Sequence, residues 1–234
     1  MFAQKHSITN RQVALSTLKH KDTFFTMCDQ SLFSLADPLP IERTLGILWD
    51  CKHDAIMFNS TTRQDVKSKR QVLQEIASIM DTLGFLVPIV MVGKILMINI
   101  WRSGVELDDP LRSALLDTWK CWVSELYVIS SPKIPYCFRR SAQPMDYELH
   151  VFSDASEVGF AACVYIQAIN APSNFSLCLL LAKSRVAPLR QLSITRLELQ
   201  GAVLGFNLCE YVMKELCPIA SSVYYWCDSQ TVLQ

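Results

Sequence analysis

The stretch "HVFSDASEVGFAACVY" at residues 150–165 decides the fold. Partial alternation in "YELHVFSD" (147–154), followed by "GFAACVYIQ" (159–167), predicts two antiparallel strands joined by a tight turn. "LCLLLAK" (177–183) reads as a third strand. From Thr195 to about Leu216 a helical period follows, with Leu197, Val203, Leu204, Leu208 and Val212 as its apolar set. "SVYYWCD" (222–228) is a fourth strand. This β-β-β-α-β order predicts an α/β fold, a mixed sheet with a crossover helix. Asp154 closes the first strand, Glu198 lies in the first turn of the helix and Asp228 closes the last strand. Carboxylates on three separate elements can converge on divalent metal, and a metal pair can clamp a phosphodiester for hydrolysis.

Composition narrows the classes. Half of the 234 residues are hydrophobic, enough for one substantial domain or two small ones and too many for a disordered tail. Lys plus Arg total 22 and Asp plus Glu total 22, which excludes nucleic-acid binding by bulk charge but leaves room for a local basic strip. The nine cysteines show no C-x-x-C pair, and the polar start "MFAQKHSITNRQV" is no secretory leader. Reduced thiols in a cytoplasmic or nuclear protein are expected. The apolar run "GFLVPIVMVGKILMINIW" (84–101) carries Lys94 at its middle, which costs about 2.5–3.5 kcal/mol in a membrane. A buried helix starting near Pro88, with Lys94 snorkelling to the surface, is the expectation.

Upstream of the sheet the pattern differs. Residues 1–41 are weakly patterned, with turn signals at "ADPLP" (36–40). "RTLGILWD" (43–50) and "AIMFN" (55–59) form a hairpin candidate, and "STTRQDVKSK" (60–69) reads as a linker. A helix follows with Ser68 and Gln71 at capping-box spacing. Val72, Leu73, Ile76, Ile79, Met80 and Leu83 supply its apolar face, and Gly84 its end. Asp109-Pro110 supplies a cap and first-turn proline for a third helix running to about Ile129. The proline-containing stretch 130–144 marks a boundary. The expected layout is therefore a remnant at 1–41, a hairpin and three helices at 42–130, a linker at 131–145 and the sheet domain at 146–234.

Two further groups stand out. Lys183, Arg185, Arg190 and Arg196 make a basic strip with no acid in it, read either as a solvated loop or as a contact for phosphates. Trp101, Trp119 and Trp122 read as helix-packing residues, and His150 as structural. Each acid also has a bland reading. Thr195-x-x-Glu198 is a capping box, and Asp154 and Asp228 are ordinary strand-end turn residues.

The strand and helix order with its three acids resembles the ribonuclease H fold. The wording resembles something narrower, the Pol polyprotein of BEL/Pao-type retrotransposons. It does so in "TLGILWD" (44–50), "KRQVLQEIASIMDTLGFLVP" (69–88), "KILMINIW" (94–101), "FSDASE" (152–157), "AKSRVAPLRQLSITRLEL" (182–199) and "WCDSQTVL" (226–233). The resemblance implies a reverse-transcriptase tail and connection region followed by a ribonuclease H domain. It implies Asp154, Glu198 and Asp228 as catalytic metal ligands for Mg²⁺ or Mn²⁺ in a two-metal site, with an RNA–DNA hybrid as partner. The other Pol domains, namely the polymerase palm, the rest of ribonuclease H and integrase, are further implied partners. No membrane partner is implied.

Departures from the pattern set expectations too. No paired-aspartate palm turn is present, since Asp108-Asp109 reads as a helix cap, so no polymerase activity is expected. The family's ribonuclease H domain continues with another helix, a fifth strand and a last metal-proximal acid or histidine. The chain reads as cut short at Gln234, with a sheet edge left open. An inert transposon-derived remnant, acting at most as a binding or scaffold module, is the alternative from a different class. The family name is sometimes attached to an aspartic peptidase, but "DTLG" (81–84) and "DSQ" (228–230) both lack the D-[TS]-G turn.

Overall fold

The computed structural model describes residues 2–7, 41–44, 47–50, 52–53, 55–58, 62–130, 133–135, 146–171, 174–216 and 220–233. The "ADPLP" turn, and most of the 131–145 stretch, lie outside them.

The expected mixed sheet is present. Strands β6 (Asp146–Ser156), β7 (Gly159–Ala171) and β8 (Asn174–Val186) run as an antiparallel meander. The last of four α-helices among the described residues, α4 (Ile194–Leu216), crosses over and delivers β9 (Ser222–Cys227) parallel to β6. Alternation explains why this packs. Tyr147, Leu149 and Val151 of β6 and Val223 of β9 are buried in one core with Leu197, Leu204, Leu208 and Val212 of α4. Val203, expected in that apolar face, is half exposed on the outer side of the helix. Close approach of helix to sheet rests on Gly205, where an added Cβ would meet Val151 Cγ1 at 3.0 Å and Ala162 Cβ at 3.4 Å.

One strand was not foreseen. β1 (Phe2–Ser7) pairs antiparallel with β9 from Phe2↔Cys227 to Ser7↔Ser222, giving the order β1-β9-β6-β7-β8. A fifth strand, expected to be missing, is therefore present beside β9, and it comes from the stretch read as an N-terminal remnant. Pairing of this kind is tertiary, so no local period announces it.

A second, four-stranded sheet has the order β2 (Ile41–Thr44), β3 (Ile47–Asp50), β4 (Ala55–Met57), β5 (Ile134–Pro135). The run expected as one strand at 43–50 is thus two paired strands, and Ile134–Pro135 of the expected linker belongs to this sheet. Buried Asp50 ties it together. Its Oδ1 accepts from the backbone N–H groups of Lys52 and His53, and its Oδ2 from His53 Nδ1 at 2.7 Å and Lys133 Nζ at 3.0 Å. Lys133, then His53, hold the Asp50 carboxyl well below its ordinary value.

The helices between the sheets are α1 (Lys69–Ser78), α2 (Val87–Arg102) and α3 (Ser113–Glu125), the last continuing as a 3₁₀ turn over Leu126–Ser130. Several expectations are corrected. The capping box does not form: Ser68 makes no side-chain cap, and Gln71 Oε1 accepts from the N–H of Lys67 at 2.7 Å, one residue before the cap. α1 stops at Ser78 rather than at Gly84, and of the expected apolar face Leu73 within the helix and Met80 beyond it are exposed. The third helix begins at Ser113, because Pro110 is taken up in a bridge with Ser68. The expected linker before α1 is packed: Val66 is buried, and Arg63 donates through N and Nε to the buried Glu75 at 2.9 Å each. Trp119 and Trp122 pack in the core with rings 5.2 Å apart, whereas Trp101 is exposed beneath Lys69, whose Nζ lies 4.2 Å from its ring.

The α1–α2 turn docks on the sheet. The N–H of Ala182 donates to Leu83 O at 2.9 Å, and Lys94 Nζ reaches Ser184 O at 3.4 Å. Lys94 therefore turns inward to β8 rather than snorkelling outward, and burial lowers its pKa. Asp81 shapes the turn by accepting from the N–H groups of Gly84 and Leu86 at 2.9 and 2.8 Å. Burial raises its pKa.

Gly84 has φ +84°, and a Cβ there would collide with the carbonyl of Ala182. Gly84→Ala is expected to cost about 2 kcal/mol or more, read as a lower urea midpoint at unchanged m-value. An unshifted midpoint would show that the turn does not sit against β8. Asp50 gives a second expectation. Its depressed pKa contributes stability above the ordinary value of 3.8, which is lost as pH falls toward the folded-state value. Thermal melts should therefore fall more steeply below pH 4 in the wild type than in Asp50→Asn; parallel curves would contradict the ion pair.

Candidate functional site

The parallel ladder sets the site. Its register runs from Glu148↔Ser222 to Phe152↔Trp226. Two residues beyond that last pair each chain reaches an acid, Asp154 still within β6 and Asp228 just after β9. Adjacent parallel strands thus carry these carboxylates to the same end of the sheet. Both side chains are exposed, and Asp154 Oδ1 accepts from the N–H of Ala155 at 2.7 Å.

Glu198 arrives from the first turns of α4. One turn on, Gly201 brings the helix down to the sheet, where a Cβ would lie 3.3 Å from Asp154 O. The Glu198 carboxylate is not used in a capping box. Its Oε2 instead accepts from Ser229 Oγ at 2.5 Å, which links the helix to the residue after Asp228. The three acids named from the sequence therefore occupy one end of the sheet. Their side chains are not gathered into a chelate: among the described residues no group of three or more His, Cys, Asp or Glu side chains is placed to hold a metal ion. Carboxylate oxygens are the donors that Mg²⁺ and Mn²⁺ take, so the donor set fits such a cation in its chemistry.

The face of the ladder turned away from α4 is aromatic. Phe152 and Trp226 stack at 5.9 Å and 11°, and His150 and Tyr224 at 5.1 Å and 10°. Trp226 Nε1 donates to His150 Nδ1 at 3.2 Å, so the neutral imidazole carries its proton on Nε2, 3.8 Å from Glu148 Oε2. His150 thus braces the strands that carry the acids, the structural role expected for it.

Lys183 and Arg185 extend from β8, Arg190 lies in the loop before α4 and Arg196 in its first turn, and all four are exposed. Lys183 pairs in register with Ala162 and Arg185 with Phe160, which puts both on the face of the sheet that α4 covers. Sequence reasoning missed Ser229. The signal was its place beside Asp228 in "CDSQ", where a serine reads equally well as a turn former. Burial raises the pKa of the Cys163 and Cys209 thiols, which makes them poor nucleophiles at neutral pH.

A mixed sheet in the order β-β-β-α-β, with acids at the ends of its first and last strands and in its crossover helix, defines a ribonuclease-H-like domain. Residues 68–229 match the family described as the Pao retrotransposon-like RNaseH-like domain, and the chain belongs to that family. The match begins at α1, so it takes in the helical segment as well as the sheet. No curated protein matches the chain. Among the described residues no helix is long and apolar enough to cross a membrane.

Proposed function

We propose that the sheet end bearing Asp154, Glu198 and Asp228 is the site of a divalent-cation-dependent nuclease that hydrolyses the RNA strand of an RNA–DNA hybrid, as part of a BEL/Pao-type Pol protein. The observation that carries this reading is the Phe152↔Trp226 register, which brings Asp154 and Asp228 level on adjacent parallel strands. Asp154 and Asp228 present exposed carboxylates that a cation would have to draw together. Glu198 offers its second oxygen, Oε1, from the helix. Mg²⁺ or Mn²⁺ bound by these groups would supply Lewis acidity toward the phosphate and a more acidic water. Lys183, Arg185, Arg190 and Arg196 would hold backbone phosphates, so that recognition follows duplex shape and the 2′-hydroxyl rather than base sequence.

A second reading, a binding or scaffold module without catalysis, is favoured by the carboxylates not forming a chelate and by the neutral overall charge. An end-labelled RNA strand in a hybrid, incubated with Mg²⁺ or Mn²⁺, separates the two. Cleavage that disappears in Asp154→Asn supports the nuclease; an uncut strand from folded protein supports the module. Binding of an uncleaved DNA duplex tests the basic strip independently. Arg185→Ala with Arg190→Ala is expected to flatten the slope of log affinity against log salt by roughly one unit for each phosphate no longer neutralised. An unchanged slope would place the phosphates elsewhere.

A further inference from the structure

Ser229 plays no part in the nuclease chemistry proposed for the three acids, yet it is the residue that touches the Glu198 carboxylate. It is buried at 5% exposure, between the exposed residues Asp228 and Gln230. Its placement is fixed on every side. The N–H of Ser229 donates to Cys227 Sγ at 3.1 Å, its carbonyl accepts from the N–H of Val232 at 3.2 Å, and its hydroxyl donates to Glu198 Oε2 at 2.5 Å.

We propose that Ser229 is a positioning residue: it holds one oxygen of Glu198 so that the other faces the cation site beside Asp228. The inference rests on the metal-dependent reading of that site. A glutamate at a helix start has three rotatable side-chain bonds, and ordering it costs entropy at the moment a cation binds. A short hydroxyl–carboxylate contact is charge-assisted and among the stronger hydrogen bonds, so it can offset that cost in advance. It engages Oε2 alone. Among the described residues Oε1 has no protein partner, which leaves it available. The tie also fixes spacing, because Ser229 is bonded to Asp228. Tightening at Glu198 is thereby transmitted directly to the acid at the end of β9. Carboxylates that ligate metals are commonly held by such outer hydrogen bonds, whose removal lowers metal affinity by about 10–100-fold.

A purely structural tie between α4 and β9 would predict something different, and Mn²⁺ titration by calorimetry tells them apart without any need for cleavage. Wild type, Ser229→Ala, Ser229→Thr and Asp154→Asn are compared, each with its melting temperature. The expected result is Mn²⁺ affinity about tenfold weaker in Ser229→Ala, restored in Ser229→Thr, which keeps the hydroxyl. A lowered melting temperature with unchanged Mn²⁺ affinity would overturn the proposal in favour of a structural tie. Equal affinity in wild type and Ser229→Ala, abolished in Asp154→Asn, would overturn it while leaving the metal-dependent reading intact. Absence of Mn²⁺ binding in folded wild type would remove that reading and the inference with it. Should Ser229→Ala not fold, Ser229→Cys, near in size with a weak donor, takes its place: weaker Mn²⁺ binding supports the proposal, and wild-type affinity overturns it.

Discussion

The parallel ladder between β6 and β9 is the constraint on which the rest depends. Two parallel neighbours cannot be joined by a short turn, so the chain needs a crossover, and α4 is that crossover. Its length, its apolar face and its glycine approach at Gly205 all follow from having to lie across β6 and β7. The same ladder determines where chemistry can occur. It sets Asp154 and Asp228 level, and it places the start of α4 at the end of the sheet where those acids emerge.

Support for the ladder comes from both faces. On one side Val151 and Val223 are packed under α4. On the other, the stacked pairs Phe152–Trp226 and His150–Tyr224 cross from strand to strand. Cross-strand aromatic pairs contribute roughly 0.5–1.5 kcal/mol each beyond their area. The helical segment adds a third support from the side, through the backbone hydrogen bond of Leu83 with Ala182 and the inward reach of Lys94. That bond joins residues far apart in the chain, which accords with a family whose matched span includes both parts.

Much of this was legible in the sequence. Helix α4 has a clear period and strands β6 to β9 are apolar or partly alternating runs, and their ends fall within a few residues of expectation. What went astray did so for identifiable reasons. Ile79 packs on the cluster of Val72 and Ile76 and on a second one, and Leu83 packs on clusters outside α1, so the period runs on past the helix end at Ser78. Gly84 was read as a helix stop when its positive φ serves a turn that must fit against β8. Lys94 was expected to seek water, but the carbonyl of Ser184 lies within its reach. The three acids were found in order because each sits at an element end. Ser229 was passed over because its partner, Glu198, lies 31 residues away in sequence, a pairing that only the tertiary fold creates.

The covering of β9 by residues 2–7 decides which strand lies at the edge of the sheet. A bare edge strand offers unpaired N–H and C=O groups that can template another chain. Here six residues occupy that row on β9, while the α1–α2 turn meets the other outer strand, β8, at Ala182. The strand that leads to Asp228 is thus an inner strand, held there by a short segment through one ladder, and β1 is the outer strand on that side. Removal of that segment would return β9 to the outside of the sheet, with the row of N–H and C=O groups that β1 occupies left unpaired.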